Sequence, residues 1–263
     1  MSRHDRLERK IGAGRTKIAT PGAAAPDGTT PGPGPAGNGV ADHWRAATVA
    51  CVEQAATDMI AIGVRPERSV PHRAGQYCEV RFPGEELSRT YSIASSPSDP
   101  ELLEFGIQLL PTGIFSPRLA GCSAGDHLEI RGPLGQAFLW APEHGDTLVL
   151  FGAGAGITPL TSMYHHFVES YPTGTVLFHV SSKSAERVFR YDRYRDVLAP
   201  RFTGGAAGRI NFDYIRGFLA PVESRKAQTN VRVCGPGAFI KTVVDAVLEL
   251  GFSEDRVRAE GFA

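Results

Sequence analysis

The stretch "LVLFGAGAGITPL", Leu148 to Leu160, decides the fold of this chain. Its first residues are apolar and predict a buried strand, while its last residues open a helical pattern. Gly152, Gly154 and Gly156 lie between them at alternate positions. A strand, a glycine loop and a helix in this order predict a parallel βαβ unit. Such a loop is a candidate anion site, because the first N–H groups of the helix face it.

The same rhythm continues to the end of the chain. "GTVLFHVSS", "VRVCG" and "RVRAE" predict strands, and they alternate with helices predicted in "TPLTSMYHHFVESY", "SAERVFRYDRYRDVL" and "AFIKTVVDAVLEL". Alternating strands and helices are typical of a parallel sheet with helices on both faces. We therefore assign residues 143–263 to a parallel α/β nucleotide-binding domain.

The preceding residues have a different pattern. Residues 42–142 contain short runs rich in β-branched and aromatic residues, separated by Gly, Pro and Asp at intervals of roughly 10 residues. This spacing predicts a six-stranded antiparallel β-barrel. Residues 1–41 are rich in Gly and Pro and lack apolar periodicity, so we expect them to form a disordered tail. The start of this tail is basic, with six Lys or Arg against two acids in residues 1–17.

Composition limits the function classes. The 263 residues carry 28 basic and 28 acidic side chains, and this balance argues against nucleic acid as a partner. No apolar run approaches the roughly 20 residues that span a bilayer, and the start lacks the apolar core of a signal peptide. The four cysteines are widely spaced, so we predict no metal site or iron–sulfur cluster and a reduced, cytoplasmic protein.

Three prolines predict helix starts. They stand in Ser116-Pro117, Thr158-Pro159 and Gly235-Pro236, each near glycine, and we expect each proline at the first helical position. Three potential anion sites in one chain favour two phosphate-bearing cofactors. The Gly-x-Gly-x-Gly spacing is also found in methyltransferases that bind S-adenosylmethionine. That alternative fits less well, because apolar residues stand just before the loop where an acid is expected.

Six motifs carry a resemblance to a known family. Their order and spacing from about residue 42 onward are similar to the ferredoxin–NADP reductase superfamily, in its branch of bacterial oxygenase reductase components. The motifs are "RTYSIASSP" (Arg89–Pro97), "GIFSPRL" (Gly113–Leu119), "GPLGQAF" (Gly132–Phe138), "GAGAGITPL" (Gly152–Leu160), "CGPGAF" (Cys234–Phe239) and the terminal "AEGFA".

The resemblance implies a flavin site on the β-barrel. Arg89 would pair with a flavin phosphate, the Tyr91 ring would pack on the flavin, and the Ser92 hydroxyl would donate toward flavin N5. A pyrophosphate-binding turn favours FAD over FMN, although an FMN-using branch exists. The other residues implied in flavin binding are Ile107, Gln108, Leu109, Gly113, Ile114, Phe115 and Ser116.

The resemblance also implies a nicotinamide site and a catalytic set of Ser92, Cys234 and Glu260. Cys234 would lie beside the nicotinamide, and Glu260 and Phe262 would lie near the flavin. Ser182, Lys183 and Arg187 follow a predicted strand without any acid at its end, which favours NADPH over NADH. The remaining residues implied in nucleotide binding are Gly152, Gly154, Gly156, Thr158, Gly235 and Pro236.

The implied activity is transfer of a hydride from NAD(P)H to FAD, with electrons passing to a separate ferredoxin, oxygenase or haem protein. One departure from the family pattern supports an alternative. The strand usually found before Gly-Arg-Ile is expected to be shortened or lost in residues 201–210. Its loss would favour a flavin-binding electron-transfer or regulatory subunit that does not itself oxidise NAD(P)H.

Overall fold

The computed structural model describes residues 43–110, 112–206 and 208–261, which form two sheets in chain order. The expectations for the tail at residues 1–41 and for Phe262 lie outside the described residues. The first sheet forms the β-domain, and the second, with its helices, forms the α/β domain. The predicted boundary at residue 142 falls in the segment that connects the two sheets.

The β-domain has six antiparallel strands in the order β4-β3-β6-β1-β2-β5. Its two edge strands meet at a single bridge between Ile93 and Phe105, so the predicted barrel is a curved sheet without a continuous closing ladder. Pro97 and Pro100 follow this bridge and cannot donate hydrogen bonds to extend it. The strands are Arg45–Ala56 (β1), Met59–Pro66 (β2), Tyr77–Arg81 (β3), Ser88–Ser92 (β4), Leu103–Gln108 (β5) and His127–Leu134 (β6), with helix Phe115–Ala120 (α1) between β5 and β6.

The α/β domain has a five-stranded parallel sheet, as the sequence predicts, in the order β11-β10-β7-β8-β9. No helix among the described residues has the length and apolar character needed to cross a bilayer. The strands are Thr147–Ala153 (β7), Thr175–Ser182 (β8), Leu198–Phe202 (β9), Asn230–Gly235 (β10) and Val257–Gly261 (β11). The helices are Ile157–Ser170 (α2), Tyr191–Tyr194 (α3), Phe212–Leu219 (α4) and Gly237–Glu249 (α5).

Strand β7 is buried on both faces. Val149 and Phe151 belong to the apolar cluster that contains buried residues of α4 and α5. Leu148 and Leu150 belong to a second cluster, which contains buried residues of α2 together with Met59 of the β-domain. An unbroken apolar run is what a central parallel strand needs, because helices and a neighbouring domain cover its two faces.

One predicted helix is largely absent. In "SAERVFRYDRYRDVL" the structure has only a 3₁₀ turn at Ala185–Arg187 and the four-residue α3. Arg190 interrupts the pattern with a left-handed φ of 47°. Its guanidinium bonds Glu53 at 2.7 Å and Glu104 at 2.7 Å, both in the β-domain. These contacts between domains override the local helical preference.

The strand expected to be shortened or lost is present. Strand β9 pairs in parallel with β8 over five residues, and Pro200 lies within it. Proline is tolerated there because β9 is an edge strand with one side free of ladder hydrogen bonds. The predicted loss of this strand is therefore wrong, whereas its shortening stays a prediction.

Helix α4 was not predicted from the sequence. Asn211 caps it by accepting a hydrogen bond from the Tyr214 N–H at 3.3 Å. Its buried residues Tyr214, Ile215, Phe218 and Leu219 have the spacing of one helical face. The capping asparagine and the apolar spacing are the two sequence features from which this helix could have been predicted.

The three helix-starting prolines lie close to their expected positions but not at them. Pro117 and Pro159 are the third residues of α1 and α2, and Pro236 directly precedes α5. All three remain near the first turn, where a missing N–H costs no helical hydrogen bond.

Candidate functional site

A cleft of about 420 Å³ lies at the carboxyl ends of the parallel strands, and we call it the junction cleft. Both domains line it, as Asp58, Met59 and Gln108 come from the β-domain. Open α/β sheets bind ligands at this end of their strands. The residues predicted from the sequence that line it are Gln108, Gly154, Ser182, Lys183, Arg187 and Pro236.

The glycines of the loop have two different roles. Gly154 lines the junction cleft with a φ of 56°, and a Cβ added there would meet nothing within 4 Å. Gly156 is packed against β10, since a Cβ there would lie 2.1 Å from the carbonyl oxygen of Cys234. Gly152 is also packed, with its added Cβ 3.3 Å from the Cα of Ile157. Only Gly154 therefore presents open backbone to a ligand.

Thr158 is buried where the two domains meet. Its hydroxyl has no hydrogen-bond partner among the described residues, although the residue is only 1% exposed. A Cβ added at Gly106 of β5 would lie 2.7 Å from the Thr158 Oγ1 atom. Buried hydroxyls are usually hydrogen-bonded, so this unsatisfied atom is consistent with a partner supplied by a ligand.

The cleft carries several cations at the end of β8. Lys183 and Arg209 are exposed and line it, and Arg209 is not among the residues predicted to bind the nucleotide. Arg187, in contrast, forms an ion pair with Asp58 at 2.6 Å across the domain junction. Its guanidinium is thus already paired with a carboxylate that is far away in the sequence.

Cys234 and Glu260 lie side by side, because their Cα atoms are partners on neighbouring strands. Burial raises the pKa of the Glu260 carboxyl to about 7. Burial, followed by the charge of Glu260, raises the pKa of the Cys234 thiol well above its ordinary value. The thiol therefore stays protonated at neutral pH, and Glu260 can hold or release a proton there.

Tyr77 connects this pair with the β-domain. Burial raises the pKa of its hydroxyl, with smaller contributions from the charges of Glu260 and Glu79. Tyr77 is the register partner of Ser92 on β4. Tyr77, which lies outside the six sequence motifs, is therefore next to Ser92 in the β-domain and close enough to Glu260 of the α/β domain to respond to its charge.

The predicted flavin residues lie along β4 and the turn before α1. Arg89 is exposed and forms no salt bridge within the part of the chain that the structure describes. The Tyr91 ring stacks on Phe115 with centroids 6.4 Å apart, and burial raises the pKa of its hydroxyl to about 12. Ile114 is 75% exposed beside Gly113, so this turn presents both backbone and apolar surface to solvent.

Three predicted flavin residues have structural roles of their own. Ile107 and Phe115 are buried in the β-domain core, so the Ile107 side chain does not line a cofactor path as expected. The Ser116 hydroxyl accepts a hydrogen bond from the Leu110 N–H at 3.3 Å and so closes the turn. Gln108 and Leu109 follow Ile107 and are more exposed, which leaves them accessible to a ligand.

Comparisons with known proteins agree with this geometry. Residues 55–139 match the family model of the oxidoreductase FAD-binding domain. The propane 2-monooxygenase reductase component of Mycolicibacterium goodii is 26% identical over 231 residues, covering 81% of this chain and 66% of that protein. The aromatic O-demethylase reductase subunit of Amycolatopsis is 27% identical over 229 residues, covering 82% and 68%. These similarities are to reductases of the ferredoxin–NADP reductase superfamily, and residues 55–139 form an FAD-binding domain of that kind.

Solved structures of this superfamily share the fold. The Amycolatopsis cytochrome P450 reductase has a TM-score of 0.66 at 26% identity, over 84% of this chain and 70% of that one. Phthalate dioxygenase reductase has a TM-score of 0.70 at 19% identity, over 84% and 68%. The chain spans 42% to 68% of the length of the first curated relatives that it matches.

The matched family model gives the β-domain its cofactor, because it is the model of an FAD-binding domain. Of the predicted residues that line the junction cleft, Gly154 and Pro236 lie in the six sequence motifs. The motifs did not identify Tyr77, Asp58 or Arg209, which lie outside all six of them. Only the positions of these side chains in space connect them with the site.

Proposed function

We propose that this chain is a flavoprotein reductase that oxidises NAD(P)H through bound FAD and passes the electrons to a separate acceptor protein. The junction cleft carries this proposal, because nucleotide-binding strand ends open there onto the FAD-binding β-domain. Bound FAD would accept two electrons as a hydride and release them one at a time. The acceptor is a ferredoxin, an oxygenase subunit or a haem protein.

The residues of the β-domain fit FAD. Arg89 offers an exposed guanidinium without a carboxylate partner among the described residues, as a phosphate ligand requires. The exposed turn at Gly113 offers backbone to a pyrophosphate, which favours FAD over FMN. Tyr91 offers an aromatic ring held in place by Phe115. These residues would bind and orient the cofactor.

The residues of the α/β domain fit a nicotinamide nucleotide. Gly154 allows its pyrophosphate to approach the backbone, and the unsatisfied Thr158 hydroxyl could bond its nicotinamide end. The neutral Cys234 thiol adds no charge beside the ring, and Glu260 can hold a proton near it at neutral pH. The cations Lys183 and Arg209 favour NADPH, whose 2′-phosphate they would bind.

The alternatives have lost their support. The subunit without NAD(P)H oxidation was motivated by a strand expected to be shortened or lost in residues 201–210, and β9 is present with five residues. A methyltransferase would not contain an FAD-binding domain.

Unpaired cysteine thiols among the described residues support a cytoplasmic location.

An absorption spectrum and an anaerobic titration test the proposal. Purified protein reconstituted with FAD should show flavin bands, and addition of NADPH should bleach them. NADH should do so more slowly, because it cannot use Lys183 and Arg209. A flavin spectrum that neither nucleotide bleaches would contradict the proposed reductase activity.

Replacement of both Arg89 and Ser92 by alanine should yield a largely apo protein. A charge-assisted hydrogen bond from Arg89 to a flavin phosphate is worth roughly 1.5–3 kcal/mol, or about one to two decades of affinity. Equilibrium dialysis against FAD measures the loss. Arg65→Ala, another exposed arginine of the β-domain, serves as the control and should retain FAD. Full occupancy in the double variant would refute the assignment of β4.

Glu260→Gln should change how stability depends on pH. The folded pKa of about 7 lies above the ordinary value of 4.5, so the wild type loses stability as pH rises through this window. Glutamine carries no charge and suffers no such loss. Relative to the wild type, the variant should become more stable between about pH 5 and pH 8, as measured by urea unfolding. A difference that is constant with pH would show that Glu260 titrates normally.

Asp58→Asn should strengthen NADP⁺ binding. The substitution removes the carboxylate that holds Arg187, leaving its guanidinium available to a 2′-phosphate. We expect roughly a twofold to fivefold lower Kd, because a partly exposed ion pair is worth up to about 1 kcal/mol. Fluorescence titration with NADP⁺ and with NAD⁺ separates an effect on the 2′-phosphate from an effect on the rest of the nucleotide. The control is Glu53→Gln, which alters the pairing of Arg190 instead. An equal decrease in Kd for NADP⁺ and NAD⁺ would contradict this role of Arg187.

A further inference from the structure

A second cavity, of about 350 Å³, lies at the amino ends of β10 and β11, away from the junction cleft. Four arginines from three parts of the chain line it, and we call it the basic cavity. Arg232 belongs to β10, Arg256 directly precedes β11, Arg258 is the second residue of β11, and Arg73 comes from the β-domain. The proposed reductase activity uses none of these four side chains.

Arg232 is the centre of this cavity. It is only 3% exposed, and its register partner on β11 is Arg258, so two arginines lie side by side on neighbouring strands. The Arg232 Nε donates to the carbonyl oxygen of Leu139 at 2.9 Å, and Nη1 donates to the carbonyls of Val231 and Arg256, both at 3.0 Å. All these acceptors are neutral, so they orient the guanidinium without neutralising its charge.

The cavity has more positive charge than negative charge. Its four arginines face two acids, Glu143 and Asp255. Glu143 pairs with Arg73 at 3.2 Å, and the exposed Asp255 accepts a hydrogen bond from Ser253. Within the described ranges, no salt bridge involves the three remaining arginines of the cavity.

This arrangement is unfavourable in the absence of a ligand. Burial, followed by the nearby charges of Arg258 and Arg256, lowers the pKa of the Arg232 guanidinium to about 10. Buried charges in proteins are normally paired with an opposite charge. Two guanidinium charges beyond those balanced by Glu143 and Asp255 correspond to the charge of one dianion.

We propose that the basic cavity binds a small phosphate dianion, either inorganic phosphate or the terminal phosphate of a small ester. Guanidinium groups bind phosphate oxygens through charge-assisted hydrogen bonds, and the guanidinium-bearing side chains of Arg232, Arg256 and Arg258 line this one cavity. The depth of Arg232 favours a small ligand, because a flat protein surface cannot reach a side chain that is 3% exposed. The volume is at the lower end of the range for small-molecule sites.

The basic cavity lies close to two residues that are predicted to lie near the cofactors. Cys234 and Glu260 follow Arg232 and Arg258 by two residues on the same strands. Side chains two residues apart point to the same face of a sheet, separated by about 7 Å. A dianion in the basic cavity would therefore change the electrostatic potential at Glu260.

Calorimetric titration tests the proposal. FAD-loaded protein is titrated with sodium phosphate, with sodium chloride at matched ionic strength as the reference. We expect saturable binding at one site outside the nucleotide cleft, and we expect Arg258→Gln to weaken it at least about tenfold. Arg258 is exposed, so its variant should fold even if Arg232→Met does not. The matched control is Arg216→Gln, an exposed arginine in α4.

A second control locates the binding. Lys183→Gln alters the junction cleft and should leave phosphate affinity unchanged if the site is the basic cavity. Loss of binding in Lys183→Gln together with full binding in Arg258→Gln would overturn the proposal, as would the absence of saturable binding. Phenyl phosphate distinguishes the two sources, since an ester site should bind it more tightly than inorganic phosphate. Binding of a glutamate-rich peptide but not of phosphate would instead indicate an acidic protein partner and overturn the proposal.

Discussion

Gly156→Ala is expected to destabilise the α/β domain by at least about 3 kcal/mol. The added methyl carbon would lie 2.1 Å from the Cys234 carbonyl oxygen and 2.4 Å from its carbonyl carbon. Both are backbone atoms of a central strand, which cannot move without breaking ladder hydrogen bonds with β7. Overpacking of a well-packed site usually costs about 1–3 kcal/mol, and a clash with backbone lies at or above that range.

Urea unfolding measures this effect, and Gly237→Ala is the matched control. Gly237 is the first residue of α5, and a Cβ there would meet nothing within 4 Å. Alanine is the better helix former, so this control should be neutral or slightly stabilising. If both variants unfold at the same urea concentration, the close packing of the loop against β10 is wrong.

Gly154→Val is expected to slow reduction by NADPH about tenfold to a hundredfold while leaving FAD bound. The branched side chain would occupy the open space through which the nucleotide pyrophosphate approaches the loop. Loss of charge-assisted hydrogen bonds of roughly 1.5–3 kcal/mol accounts for this range. FAD should remain because the β-domain holds it, and distant sites act independently. Stopped-flow reduction under anaerobic conditions measures the rate.

Two further variants separate blocking of the cleft from backbone strain. At φ 56° valine is strained, whereas asparagine tolerates this left-handed region. Gly154→Asn should therefore keep the stability of the wild type but still impair reduction. Gly84→Val introduces similar strain at φ 74° in an open turn of the β-domain, and it should reduce stability without slowing the reaction. Normal reduction in a folded Gly154→Asn protein would mean that the loop does not hold the nucleotide.

Local sequence patterns were sufficient for the elements with strong periodicity. The apolar run of β7 and the helical stripe of α2 each specify one structure, because neighbours a few residues apart bury the same face. The glycine loop between them follows from the same local pattern. The resemblance to the reductase family also implied that Cys234 and Glu260 lie near the cofactors, and the structure makes them register partners on neighbouring strands.

Long-range contacts decided the elements that the sequence did not reveal. Arg190 breaks the predicted helix because Glu53 and Glu104, far away in the chain, bind its guanidinium. In the same way, Asp58 holds Arg187, a residue that its position in the sequence assigned to a nucleotide. Local propensity amounts to tenths of a kcal/mol per residue, and ion pairs between domains can exceed it.

By itself, the sequence determined the two-domain architecture, the FAD-binding motif and the loop that opens the α/β domain. Only the tertiary structure assigned different roles to the loop glycines, with Gly154 open to the cleft and Gly156 pressed against Cys234. It alone placed Arg232 beside Arg258 in a buried cavity. The physical reason is that strand register and domain contact set distances between residues far apart in the chain, and no local pattern encodes those distances.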